Sequence, residues 1–388
     1  MTKALPPPDL PILRTARVPV RVDLARAFLA ASGQPGQTGW PVFRRILRCR
    51  TGAQSITPLE FFRYGLHRPG LTDADCAAYL SDVAVTRFNT LLNGPADQND
   101  TARLCDKLVT GQILTAAGLP TAATRAVYRA EPDPGDLRTA ADIAAFLLAP
   151  GHTPCFGKPV FGSLSMGVVS VEQALDAGHV LLGNGRSVAA SALAAEIVAH
   201  YPAGYVFQDV LRAGPGVRHL SGPVLPSIRI CSLWLQGGPV PLYAAMRLPA
   251  AGAMSDDGGS GRNARLHIDV QTGAVIRGQD MHRFSGVDLA KTPVTDVPLA
   301  GQAIPDWATI LALACDAHRQ FPRHCCVGTD IAPSDQGFVI NEVNANPLHM
   351  TYQVVSKRGI LNDTFRPLFR AALAERGIVR AKSGVPWP

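Results

Sequence analysis

The stretch Gly328-Thr329-Asp330-Ile331-Ala332-Pro333-Ser334-Asp335-Gln336-Gly337-Phe338-Val339-Ile340-Asn341-Glu342-Val343-Asn344-Ala345-Asn346-Pro347 decides how the rest of the chain is read. Two apolar-rich runs flank the turn-forming group Ser334-Asp335-Gln336-Gly337, which predicts a β-hairpin centred near Gln336. Positions 330 and 342 then lie equally far from the centre and face one another across an antiparallel ladder. Asn344 projects from the same side as Glu342, because side chains alternate along a strand. Ile331, Val339 and Val343 fall on the other side and read as core. One side of the ribbon therefore collects two carboxylates and an amide oxygen. Facing carboxylates repel unless a cation stands between them, and a small set of hard oxygen donors suits Mg²⁺. A solvated hairpin face that holds no metal is the competing reading.

Upstream, Lys158-Pro159-Val160-Phe161-Gly162-Ser163-Leu164-Ser165-Met166-Gly167-Val168-Val169 reads as a strand delivering a lysine, a small flexible loop and a second strand. Glycines at both ends let the backbone fold closely over a ligand, the serines offer hydroxyl donors, and the ammonium adds positive charge. An ordinary hairpin bearing a solvent-facing lysine is the alternative. Other phosphate cradles are missing. Gly157-Lys158 is followed by Pro159 where a P-loop needs Ser or Thr, and no G-x-G-x-x-G opens a helix after a strand.

Composition narrows the class. The 388 residues are 47% hydrophobic and 17% charged, enough apolar side chain to bury a core and exclude disorder as the main state. Glycine and proline follow no collagen period. No apolar run approaches the roughly 20 residues of a membrane span, and Met1–Pro11 lacks the apolar centre of a signal peptide. A cytoplasmic protein with no membrane partner is expected. The net charge is +7, yet the arginines are scattered singly, which suits anionic small substrates better than nucleic acid. Only six of the 37 basic residues are lysines, so a lysine inside a motif marks a place where a compact ammonium is wanted. The eight cysteines show no C-x-x-C spacing; reduced core thiols are expected, and zinc at His324-Cys325-Cys326 is disfavoured.

Along the chain, residues 1–100 read as a Pro-rich arm (to about residue 20) and a helical region. Thr57-Pro58-Leu59-Glu60 and Thr72-Asp73-Ala74-Asp75 carry helix-start signals. Helices are predicted at Val22–Ala31, Pro41–Arg50, Thr101–Ala117, Thr139–Leu148, Ser191–His200 and Asp306–Phe321. Strands are predicted at Thr124–Tyr128, Cys155–Phe161, Val168–Val171, Tyr205–Leu211, Ser227–Gln236, Pro241–Leu248, Arg265–Ile276 and within Cys325–Asn344. The class is α+β.

In their order and separations, Lys158-Pro159, Gly162-Ser163, Gly167-Val168, Gln208-Asp209-Val210-Leu211, Asp330, Glu342-Val343-Asn344 and Asn346-Pro347 resemble the ATP-grasp superfamily. The resemblance covers about residues 100–355. Leu59-Glu60-Phe61-Phe62-Arg63-Tyr64-Gly65-Leu66 and Ser227-Ile228-Arg229-Ile230 resemble, more narrowly, its sugar-transfer-associated branch, which is related to α-L-glutamate ligase-like proteins. This implies two α+β subdomains sandwiching ATP within residues 101–355. A nucleotide-gripping part would span about 120–210 and a metal-binding, catalytic part about 211–355, with a C-terminal helix and tail at 356–388.

The resemblance also implies roles. Lys107 and Lys158 approach the α- and β-phosphates, and the loop with Gly162, Ser163, Ser165 and Gly167 closes over them. Gln208, Asp209, Val210 and Leu211 read the adenine, and His219 lies near the ribose. Asp330, Glu342 and Asn344 hold Mg²⁺. Arg229, on a strand that alternates toward an interior, needs a buried anion; the γ-phosphate or an acyl-phosphate supplies one, and an internal ion pair is the alternative. Arg247 is assigned alike. Arg262, Asn263, Arg265, Asn346 and Gln353 are candidates for the substrate side. The implied reaction is an ATP-dependent, ADP-forming ligation of a carboxylate to an amine or other nucleophile through an acyl-phosphate, on a small, anionic, peptide- or sugar-linked substrate. A kinase phosphorylating a hydroxyl and an inactive ATP-binding scaffold are the alternatives.

Overall fold

The computed structural model describes residues 11–16, 23–34, 38–94, 98–162, 165–255, 263–281, 288–379 and 384–388. Most of the expected arm, together with Ser163 and Arg262, lies outside them.

Two antiparallel sheets organise the chain. The first contains β1 (Thr124–Tyr128), β2 (Cys155–Pro159), β3 (Val169–Ala174), β4 (His179–Leu182), β5 (Ser187–Ala189) and β6 (Tyr205–Asp209), in the order β1-β6-β2-β3-β4-β5. Helices Ala140–Leu148 and Ala190–His200 cover one face, where Ile143, Leu193 and Ile197 pack on Cys155, Val171 and Phe207. The alternate residues Phe156, Lys158, Ser170, Glu172 and Gln208 are left facing a cleft.

The second sheet contains β7 (Ser227–Leu235), β8 (Gly238–Leu248), β9 (Ala264–Ile268), β10 (Val275–Asp280), β11 (Asp288–Leu289), β12 (Cys326–Ser334) and β13 (Gly337–Asn344). Its order is β11-β10-β9-β8-β7-β12-β13. The expected single strand Arg265–Ile276 is a hairpin, β9 and β10, because Asp269 accepts backbone N–H bonds from Gln271 and Thr272 and turns the chain. One face of this sheet (Ile228, Ile230, Met246, Val327, Ile331) packs on the helix Trp307–Arg319. The other face is covered in part: the helix Met350–Ser356 packs on β8, β9 and β10, and further helices lie at one end. There Cys231, Leu233, Leu242 and Cys326 meet the helices Asp82–Asn93 and Arg366–Glu375 through Phe88, Leu92 and Phe369. The N- and C-terminal helices thus share a core with the sheet.

The expected helix Thr101–Ala117 is two helices, Gln98–Cys105 and Lys107–Ala116. Asp106 separates them as an N-cap, its side chain accepting from the N–H groups of Leu108 and Val109. Among the described residues no helix is long and apolar enough to cross a membrane.

Candidate functional site

The register of β12 and β13 pairs Ser334 with Gly337 and Ile331 with Ile340, then shifts, so that Asp330 faces Glu342 and Gly328 faces Asn344. The turn is therefore Asp335-Gln336, and a β-bulge at Asn341 restores the expected pairing of the two carboxylates. The bulge also reverses the alternation nearer the turn. Ile340 joins the core with Ile331 and Val343, whereas Val339, expected there, pairs with the cleft-lining Ala332. The extra residue has a second effect: the carbonyl and side-chain oxygens of Asn341 each accept from Lys158 Nζ at 3.3 Å.

Lys158 reaches this ribbon from β2 in the other sheet. Its ammonium is buried, and that desolvation lowers its pKa to about 8; Glu342 opposes the shift and Lys107 reinforces it. Lys107 enters from the first position of its helix. Its Nζ donates to Gly162 O at 2.6 Å and pairs with Glu342 Oε1 at 3.4 Å. One ammonium thus touches both the glycine loop and the ribbon.

Within the second sheet, polar side chains form a row on the face opposite the helix Trp307–Arg319. Asp330 is the Cα partner of Glu342 on one side and of Arg229 on the other. Arg247 lies diagonally beyond Arg229, directly opposite Arg265, and Arg265 faces Gln279. Arg229 holds the buried Asp330 carboxylate with two bonds, Nε to Oδ1 at 2.7 Å and NH2 to Oδ2 at 2.5 Å. Arg247 reaches Oδ2 at 3.4 Å, and so does the Asn344 amide. Gly328 makes room for Pro347: a Cβ there would lie 2.9 Å from that ring. Two carboxylates and an amide thus converge with two arginines and two lysines. Among the described residues no group of three or more His, Cys, Asp or Glu forms a metal cluster of another kind.

These residues line one cleft of about 1570 Å³ between the sheets. Gly162, Ser165, Gln208, Asp209, Val210, Leu211 and Asn346 line it too. Gln208 and Asp209 have secondary engagements, Gln208 Nε2 donating to Ala122 O and Asp209 pairing with Arg125 at 2.5 Å. That pairing turns the Asp209 carboxylate to its neighbour.

Five sequence candidates sit elsewhere, among them Arg265, which is buried outside the cleft lining. Gly167 is below the cleft, at φ +71°, with its carbonyl accepting from Tyr205 Oη; it shapes the loop. His219 is exposed on the helix Pro215–Ser221 and bonds Gln302. Gln353 is fully buried, its amide spent on Leu80 N and O and Ile360 N, where it ties the N-terminal region to the C-terminal segment. Asn263 is buried outside the cleft lining, next to Arg265 at the far end of the row.

The sequence reading missed other cleft residues. Glu172 pairs with Arg212 at the cleft wall, and its signal was the alternation Val169-Ser170-Val171-Glu172. Asn89 was missed because it lies in the N-terminal helical region. It donates to Asn346 Oδ1 at 2.7 Å and to Pro347 O at 3.1 Å, fixing the wall beyond the ribbon.

A sequence profile of sugar-transfer associated ATP-grasp proteins matches residues 86–366. No curated protein matches the chain in sequence. Among solved structures, the L-amino acid ligase from Bacillus licheniformis aligns at 15% identity and TM-score 0.39, covering 70% of this chain and 48% of that one. The D-alanine-D-alanine ligase from Coxiella burnetii aligns at 14% and 0.37, covering 72% and 60%. D-alanyl-alanine synthetase A from Vibrio cholerae O1 biovar eltor str. N16961 aligns at 12% and 0.40, covering 72% and 66%. The chain spans about half to two thirds of the length of these structures. The profile takes in well over half of the residues, including both sheets, the glycine loop and the paired carboxylates, and so the chain belongs to the sugar-transfer associated ATP-grasp family.

Proposed function

We propose that the protein is an ATP-dependent, ADP-forming ligase that joins a small acid to an amine or another nucleophile. The observation that carries this reading is Lys107 Nζ bound at once to Gly162 O and Glu342 Oε1, so that the glycine loop and the carboxylate ribbon meet at one ammonium.

Mg²⁺ fits the donor set. Asp330, Glu342 and Asn344 are oxygen-bearing, adjacent and on one face, and they would hold the ion. When bound, ATP would supply a γ-phosphoryl group to the substrate carboxylate with ADP leaving, the nucleophile would then displace phosphate from the acyl carbon, and Mg²⁺ would offset charge on the phosphates. Lys107 and Lys158 offset phosphate charge, and phosphoryl transfer depends chiefly on such positioning and electrostatics. Arg229 and Arg247, both paired with Asp330, would balance charge on the transferring group. No side-chain nucleophile is needed.

The test mixes the full chain with ATP, Mg²⁺ and a panel of carboxylic acids and amines, following ADP, free phosphate and product mass. Acid-dependent ADP release with free phosphate and a condensed product supports the ligase. Phosphate retained on a hydroxyl acceptor indicates the kinase, and nucleotide binding without turnover across the panel indicates the scaffold. Glu342→Gln serves as the control: it should lose turnover while keeping the wild-type melting temperature.

A further inference from the structure

The first two helices, Leu24–Ser32 and Gly39–Thr51, take no part in the cleft. The second buries Val42 and Cys49 in the N-terminal core, and Arg45 turns inward to the carbonyls of Leu66 and Leu71. At about 100° per residue, its opposite face carries Trp40, Phe43 and Leu47, which are 68%, 43% and 47% exposed. The Trp40 and Phe43 rings lie 6.0 Å apart, tilted, as one apolar ridge. On the helical projection Arg50 flanks this ridge on one side and Arg44 and Arg48 on the other. The first helix packs alongside, with Leu29 69% exposed and Arg26 on its surface.

Neither helix contains an acidic residue. Arg48 pairs with Asp73, while Arg26, Arg44 and Arg50 make no ion pair among the described residues. A ridge of Trp, Phe and Leu held out to solvent implies something that covers it. Unopposed arginines on both flanks say what kind of surface that is. Tryptophan and arginine around a short apolar stripe match the headgroup boundary of a negatively charged bilayer, where the ring sits at the interface and guanidinium groups meet lipid phosphates. A covering protein would have to bring carboxylates to both edges of the ridge.

We propose that this face docks peripherally on an anionic lipid bilayer, seating Trp40, Phe43 and Leu47 at the acyl-chain boundary with Arg26, Arg44 and Arg50 toward the headgroups. The docking is independent of the ligase reading.

The test is flotation of the full chain with vesicles of phosphatidylcholine alone and of about three parts phosphatidylcholine to one part phosphatidylglycerol, with light scattering on the lipid-free protein. The wild type should float with the mixed vesicles and not with neutral ones. The triple variant Trp40→Ser/Phe43→Ser/Leu47→Ser should lower the bound fraction at least about tenfold at an unchanged melting temperature. Arg26→Gln/Arg44→Gln/Arg50→Gln should remove the preference for anionic vesicles. Absence of flotation, equal flotation with neutral vesicles, or wild-type flotation by the serine variant would each overturn the proposal. So would a lipid-free dimer that the serine variant converts to monomer, since a second copy would then be the cover.

Discussion

Lys158 is a buried ammonium whose direct hydrogen-bond partners, the two oxygens of Asn341, are uncharged. Its pKa falls from 10.5 to about 8 through burial, and the sign of the consequence follows. The folded protein releases this proton before the unfolded chain does, so stability rises with pH between about 8 and 10.5 as the cost of a buried charge is relieved. Nucleotide binding needs the charged form. Affinity for ATP should therefore fall as pH rises through 8, and binding at pH 9 should take up close to one proton, read by calorimetry in buffers of different ionisation enthalpy. Affinity and proton uptake unchanged between pH 7 and 9 would remove Lys158 from the phosphate site. Asp330 shows the opposite case, a buried carboxylate clasped by Arg229 and Arg247. Asp330→Asn strands two guanidinium groups and should destabilise the fold by about 3–5 kcal/mol, measured by urea unfolding; a change below about 1 kcal/mol would mean that the pair behaves as a solvated one.

Among the elements, the hairpin β12–β13 was legible because two carboxylates and an amide interrupt an otherwise apolar run. Its bulge was not: nothing in Ile340-Asn341-Glu342 distinguishes an extra residue from a paired one, and the register depends on which turn closes it. The break at Asp106 was hidden for a related reason, since Asp is tolerated within a helix pattern and only the capping bonds reveal a new start. Gln353 and His219 were assigned by position in a motif order, while the buried backbone groups that Gln353 serves come from residues far away in sequence. Chemistry borne by strand alternation can be read locally; long-range satisfaction of an amide cannot. The glycine loop yields its own prediction. A Cβ at Gly167 would meet Tyr201 Oη at 2.3 Å and Pro159 at 2.7 Å, at a φ of +71°. Gly167→Ala should lower stability by about 1–3 kcal/mol and weaken ATP binding with it, by thermal shift with and without nucleotide. Wild-type values on both would show that the loop adapts.

Across the whole molecule, the cleft has walls from four parts of the chain: the first sheet gives Lys158, the helix Lys107–Ala116 gives Lys107, the second sheet gives the carboxylates and arginines, and the helix Asp82–Asn93 closes the end through Asn89. That helix is anchored by Glu60, which caps Thr57 and accepts from Asp82 N at 2.9 Å, so the motif around Phe61 and Phe62 is the foundation of a cleft wall. The expected absence of a membrane partner rested on a search for a spanning segment, and an exposed ridge on a short helix escapes such a search. Since Phe88 and Leu92 share a core with Leu233 and Cys326, a chain beginning at Thr101 should lack cooperative thermal unfolding, whereas a sharp transition like that of the full chain would make the N-terminal helices dispensable. The most direct measurement is a crystal structure with a non-hydrolysable ATP analogue and Mg²⁺. The account predicts one triphosphate touched by Lys107 and Lys158 from one side and joined through the metal to Asp330, Glu342 and Asn344 on the other. A nucleotide in a different cavity, or one that meets the lysines while those three side chains bind no metal, would contradict it.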